Sequence, residues 1–141
     1  MKTYETLHLV KSEDLNHHGT LFAARGAAWL IEAGFATAAC EHGNTNEVVL
    51  RSINNVSYSK PVKPGSIVKL VSRVVYAGSS SLMVAVCGKN SLTEEVAIEG
   101  YLTFVTIDES TGKEKEHGIV LDETSDEEEL RLRECALSLR K

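Results

Sequence analysis

LFAARGAAWLIEAGFATAACEH, residues 21–42, is the stretch that decides how this chain folds. Alanine is the best helix former, so the stretch predicts a single helix from Leu21 to His42. Thr20 stands where an N-cap belongs, and Gly43-Asn44 supplies the C-terminal stop. Between Leu21 and Cys40 only Arg25, Glu32 and Thr37 are polar. A helix that is apolar on nearly every side is a buried helix. Its small residues, Ala23, Ala24, Gly26, Ala27, Ala28, Ala33, Gly34 and Ala36, let other backbone come close. At 1.5 Å per residue it spans roughly 30 Å. This is also the one segment that could be mistaken for a membrane span. Arg25 and Glu32 near its middle argue against that, each costing about 2.5–3.5 kcal/mol at the bilayer centre. No membrane partner is expected.

Outward from the helix the period changes. Residues 3–10 read as a short strand, Leu7 and Leu9 alternating with Glu5 and His8. Lys11 to Gly19 is polar and suits a loop. After the helix, Glu47 to Tyr58 carries Val48, Val49, Leu50, Ile53 and Val56, and Pro61, Pro64 and Gly65 mark a turn. Ser66 to Ala77, Leu82 to Lys89 and Val96 to Ile107 are three further strands, the first two joined by a hairpin turn at Gly78-Ser79-Ser80-Ser81. Long strands with short connections imply an antiparallel meander. Asp108 to Asp126 is acidic and reads as an exposed tail. Glu127 to Arg140 runs from acidic to basic, the gradient a helix dipole favours. The plan is α+β: one long central helix wrapped by an antiparallel sheet, plus a C-terminal helix. The expected division is a domain over 1–108 and an acidic tail with helix over 109–141. A sheet of this kind has open edges, so self-association as a dimer or higher homo-oligomer is expected.

The bulk numbers exclude several classes. The chain has 141 residues, the size of one domain. Its formal net charge of −5 argues against bulk binding to nucleic acid. Cys40, Cys87 and Cys135 are odd in number and widely spaced, which suggests neither a disulfide framework nor a zinc site. The first residues lack the apolar core of a signal peptide. Together these give an expected cytoplasmic location.

Few residues suggest chemistry. Glu32 is a carboxylate among Ala28, Trp29, Phe35 and Ala36 on a helix surface. It is either a general base or nucleophile facing a cleft, or a structural partner of Arg25 two turns earlier. Asn16 in the loop either positions a water or carbonyl, or caps a turn. Amides around Gly19, Thr20 and Phe22, at the helix start, offer free N–H groups to a developing oxyanion. Lys60, Lys63, Lys69 and Arg73 could meet phosphates, or form a solvated strand face. His17 and His18 have no ligand-type residue at helical spacing, so no metal is expected. There is no GxSxG elbow and no glycine-rich phosphate motif.

Four segments resemble a known family. Asn16-His17-His18-Gly19-Thr20-Leu21-Phe22 resembles the loop-to-helix passage of hotdog-fold acyl-CoA thioesterases, the cytosolic acyl-CoA hydrolase group. Lys60-Pro61-Val62-Lys63-Pro64-Gly65-Ser66, Gly78-Ser79-Ser80-Ser81 and Tyr101 to Asp108 resemble its turn, hairpin and closing strand. The resemblance covers roughly residues 4–108. It implies a hotdog fold, hydrolysis of acyl-CoA without a cofactor, and sites between two subunits near a helix N-terminus. The catalytic pair becomes Glu32 and Asn16, with the thioester carbonyl at Gly19, Thr20 and Phe22. The implied CoA-binding set is Lys60, Lys63, Arg73, Gly78, Ser79 and Ser80. Two positions depart from the family pattern. Ala23-Ala24 replace its paired glycines, and the acid falls one residue later than the commonest form, which would put it at Ile31. A non-catalytic acyl-CoA sensor or carrier on the same fold is the alternative. A hotdog dehydratase would need an Asp/His pair that is not evident here.

Overall fold

A computed structural model describes residues 1–140; Lys141, the last residue of the expected tail, lies outside the described residues. The elements in chain order are β1 (Tyr4–Leu9), α1 (Ala23–His42), β2 (Val48–Tyr58), β3 (Ile67–Ala77), β4 (Ser81–Asn90), β5 (Val96–Thr106) and α2 (Glu127–Leu139). The five strands form one antiparallel sheet in the order β1-β3-β4-β5-β2. The sheet wraps α1, and the two form the main core. Leu30, Leu70, Leu82, Val84, Leu102 and Phe104 are fully buried in it.

α1 begins two residues later than its composition suggests. Phe22, not Thr20, is the N-cap, because the Thr20 hydroxyl and amide are held by Asn16. Its end agrees with the reading: Gly43 adopts φ 94°, a left-handed conformation that glycine accepts without strain. The helix is not buried all round. Trp29, Leu30, Ala33, Gly34, Thr37 and Ala38 face the sheet, while Ala24, Ala28, Glu32, Ala36 and Cys40 form an exposed ridge at four-residue spacing. The sheet curls around only one side of α1, so the apolar composition of the other side is not used within one protomer.

α2 covers part of the opposite face of the sheet. Residues alternate between faces along a strand, so Met83 and Ala85 point away from the main core. With Val75 and Tyr101 they pack under Ala136 of α2. The segment between β5 and α2, read as an exposed tail, is partly built into the fold. Ile119 and Leu121 pack on the main core, and the His117 ring sits 2.9 Å from the Ser81 carbonyl. Its anchor is Glu47, which accepts from Lys115 at 2.8 Å and lies 2.8 Å from His42 Nε2.

The Lys115 ammonium, then the His42 ring, hold the Glu47 carboxyl below the usual carboxylate range. A depressed folded-state pKa stabilises the fold above the unfolded value, and this contribution is lost as pH falls toward the folded one. Glu47→Gln is therefore expected to flatten the acid limb of a melting-temperature profile below about pH 5. An acid limb as steep as the wild type's would show that this anchor contributes nothing.

Candidate active site at the start of the central helix

The loop before α1 is held by a set of short-range bonds. Asn16 Oδ1 accepts from the His18 amide at 2.8 Å and the Thr20 amide at 3.2 Å, and its Nδ2 donates to the Thr20 hydroxyl. The Gly19 amide donates to the Asn16 carbonyl, with Gly19 at φ 78°. The Leu21 amide goes to the Val62 carbonyl and the Phe22 amide to the Asp14 carbonyl, both at 2.8 Å. Asp14 is buried and takes an ion pair from Arg25 at 3.1 Å.

These bonds relocate the expected oxyanion donors. The amides of Gly19, Thr20 and Phe22 are all engaged in the loop. Arg25 and Gly26 donate to the Phe22 carbonyl, and no side chain caps α1. At the start of the helix, the amides of Ala23 and Ala24 have no partner among the described residues. Helix N-termini carry partial positive charge as well as free N–H groups.

Beside these amides lies an apolar cleft of about 320 Å³. Leu21, Val62, Val68 and Ile98 line it, and Lys60 is at its rim. Tyr58, at the end of β2, closes one side; its hydroxyl donates to the Ala23 carbonyl at 2.8 Å. Partial burial pushes the Tyr58 phenol up. Sequence reasoning missed Tyr58, Ala23 and Ala24. The signal available was the pair of small residues after Phe22, noted only as a departure from the family pattern.

The other expected residues scatter. Glu32 is on the exposed ridge of α1 and makes no ion pair or hydrogen bond among the described residues; its alternative partner Arg25 is committed to Asp14. Ile31 packs against the main core. Lys60 pairs with Glu95 at 3.7 Å, and Lys63 is exposed on the same turn. Arg73 is on the α2 face, bound to Glu129 at 3.3 Å. Gly78, Ser79 and Ser80 are at the far end of β3, roughly 33 Å from the lysine turn at about 3.3 Å per residue. Within one protomer these six residues cannot hold one CoA phosphate group together. The Ser79 and Ser80 carbonyls accept from the His117 and Thr106 amides. A second groove of about 540 Å³, between α2 and the sheet, holds Cys87. Burial and then Glu99 push that thiol up, away from thiolate.

A five-stranded antiparallel sheet folded around one long helix defines the hotdog class. Within that class the chain belongs to the thioesterase superfamily, whose model matches residues 18–97. An acyl-CoA hydrolase from Staphylococcus aureus, solved in complex with butyryl coenzyme A, coenzyme A and coenzyme A disulfide, is 33% identical. Its TM-score is 0.85, with 96% of this chain and 80% of that one covered. An apo-hexameric acyl-CoA thioesterase is 32% identical with a TM-score of 0.79, covering 96% of this chain and 86% of that one. An uncharacterized acyl-CoA thioester hydrolase of Bacillus subtilis (strain 168) is 33% identical over 130 residues, 88% of this chain and 72% of its own length. The chain is a thioester hydrolase by family. No helix is long and apolar enough to cross a membrane among the described residues.

Proposed function

We propose that this protein hydrolyses acyl-CoA thioesters to a free acid and CoA, in a site completed by a second copy of the chain. The observation that carries the reading is the unpartnered amides of the first helical turn, at Ala23 and Ala24, where Ala23 lines the Tyr58 cleft. An acyl chain enters the cleft and its thioester carbonyl accepts from the two N–H groups. Lys60 and Lys63 meet the phosphates. Glu32 takes a proton from water, which attacks the carbonyl carbon. The tetrahedral oxyanion collapses, the C–S bond breaks, and the leaving CoA thiolate takes the proton held by Glu32. Asn16 acts by holding the loop that sets the amides. No cofactor enters the reaction, since CoA is part of the substrate. Three free thiols fit a reducing cytoplasm.

Glu32 is eight residues beyond Ala24, about 12 Å along the helix axis. A thioester held at one protomer's amides is therefore out of reach of the same protomer's Glu32. The exposed ridge of Ala24, Ala28, Ala36 and Cys40 around Glu32 suits close approach by a second α1, which would bring in its own Glu32. The hexameric relative supports self-association. Light scattering that gave a 15.4 kDa particle would overturn this arrangement.

The reading is tested with a panel of acyl-CoAs and a thiol reagent, where release of free CoA is expected. The alternative, an acyl-CoA sensor or carrier, is favoured by one observation: Ile31 occupies the position of the commonest acid. Failure of every acyl-CoA to release thiol, combined with a CoA-induced rise in melting temperature, would establish that alternative instead.

A further inference from the structure

We propose that Tyr58 is a positioning residue for the hydrolysis: its hydroxyl holds and polarises the peptide unit between Ala23 and Ala24, whose N–H is one of the two donors to the thioester carbonyl. The inference rests on the hydrolase reading and deepens it.

One peptide unit joins the Ala23 carbonyl to the Ala24 amide, and in a trans unit the two groups point in opposite directions. Tyr58 donates to the carbonyl side at 2.8 Å. The N–H on the other side has no partner among the described residues. As the first residue of α1, Ala23 also offers its carbonyl to the regular bond from the next turn. Tyr58 is therefore a second donor to that oxygen. The unit before it has the same pattern. Its N–H is the free Ala23 amide, and its Phe22 carbonyl accepts from Arg25 at 3.0 Å and Gly26 at 3.1 Å. A carbonyl that accepts bonds makes the N–H of its own unit a stronger donor, because linked hydrogen bonds polarise one another. Of these contributions only the one from Tyr58 comes from a side chain, so it alone can be removed without touching the helix.

The backbone of β2 is shaped to aim this side chain. Asn54 pairs with Tyr101, which packs under α2, so Asn54 belongs to the α2 face of the sheet. Regular alternation from Asn54 would put Val56 and Tyr58 on that face too. The register instead shifts between Asn54 and Ser57, and Asn55 takes φ 56°, a left-handed conformation uncommon outside glycine. One extra residue reverses the alternation. Val56 then packs on the main core, and Tyr58 pairs with Ile98 on the α1 side, where its hydroxyl meets the start of the helix. A phenylalanine would wall the cleft equally well. The hydroxyl is what the wall does not explain, and Tyr58 is 50% exposed, so its bond contributes little to stability.

The test compares the full-length wild type with Tyr58→Phe, which keeps the ring and removes only the hydroxyl. One donor to an oxyanion is worth about 10²–10³ in rate, and a linked bond strengthens it by roughly 10–30%, so kcat is expected to fall about two- to eightfold. KM and melting temperature are expected to hold. A trifluoromethyl-ketone analogue of the same acyl-CoA, whose hydrate mimics the tetrahedral oxyanion, should bind the variant more weakly by the same factor as kcat falls. A thioether analogue, which has no carbonyl, should bind both proteins equally. Unchanged kcat with a raised KM would overturn the inference, leaving Tyr58 as a wall of the cleft. Equal weakening of both analogues would also overturn it, because the ring would then have moved. So would a lower melting temperature at unchanged turnover, which would make the bond structural. These three outcomes leave the hydrolase reading intact. Inactivity of the wild type toward every acyl-CoA would overturn that reading and this inference with it.

Discussion

Glu32→Gln is expected to lower kcat by about 10²–10⁴, the loss typical of a positioned general base, with the melting temperature nearly unchanged. Glutamine keeps the shape of the side chain and removes only the proton acceptor. The structural alternative was an ion pair with Arg25. Arg25 instead bonds buried Asp14 at 3.1 Å, and Glu32 stands exposed on the α1 ridge. Nothing in the protomer loses a partner when Glu32 is neutralised. The contrast is Asp14→Asn, which leaves the charge of Arg25 uncompensated beside a buried residue and should lower stability while sparing turnover per folded molecule. Measuring kcat and melting on one preparation of each variant separates the roles. Full turnover in Glu32→Gln would refute the catalytic assignment and point to the one-residue offset from Ile31 as the reason.

The elements were legible because their signals are local. Alanine density gave α1, Gly43 gave its end, and alternation gave the strands within a residue or two. The site was less legible because its decisive bonds are not local. The Leu21 amide reaches Val62 and the Phe22 amide reaches Asp14. Neither can be read from spacing, so the free donors were expected at Gly19, Thr20 and Phe22 rather than at Ala23 and Ala24. Arg25 is two turns from Glu32 on the same helix, but the loop returns Asp14 to it first. The scatter of the basic set was readable in principle. Strand β3 separates Lys63 from Gly78, and its length alone keeps them apart. Gly26 and Gly34 look alike in sequence, and only the side chains packed around each position show that a methyl group fits at the first and collides with Leu102 at the second.

Phe104→Ala tests the fold as Glu32→Gln tests the chemistry. Phe104 is fully buried on β5, paired with Leu50 of β2 and Leu82 of β4. Its ring meets Phe35 of α1 edge-on, with centroids 6.0 Å apart and planes at 68°, a geometry that adds to plain burial. It therefore joins the helix to three strands at the hairpin end of the sheet. Removing such a ring costs about 3–5 kcal/mol, lost transfer energy plus the cavity left behind. Against a typical total of 5–15 kcal/mol the loss is large enough to read directly as a lower denaturation midpoint at unchanged slope. Phe104 is six residues along β5 from Ile98 at the cleft, roughly 20 Å away. Activity per folded molecule should accordingly survive where stability does not. A cost under about 1 kcal/mol would mean that the surrounding side chains collapse into the space, and that Phe35 and Phe104 do not hold α1 to the sheet. Loss of turnover in molecules that remain folded would mean that the hairpin end of the sheet is coupled to the helix start, which the separation of the two argues against.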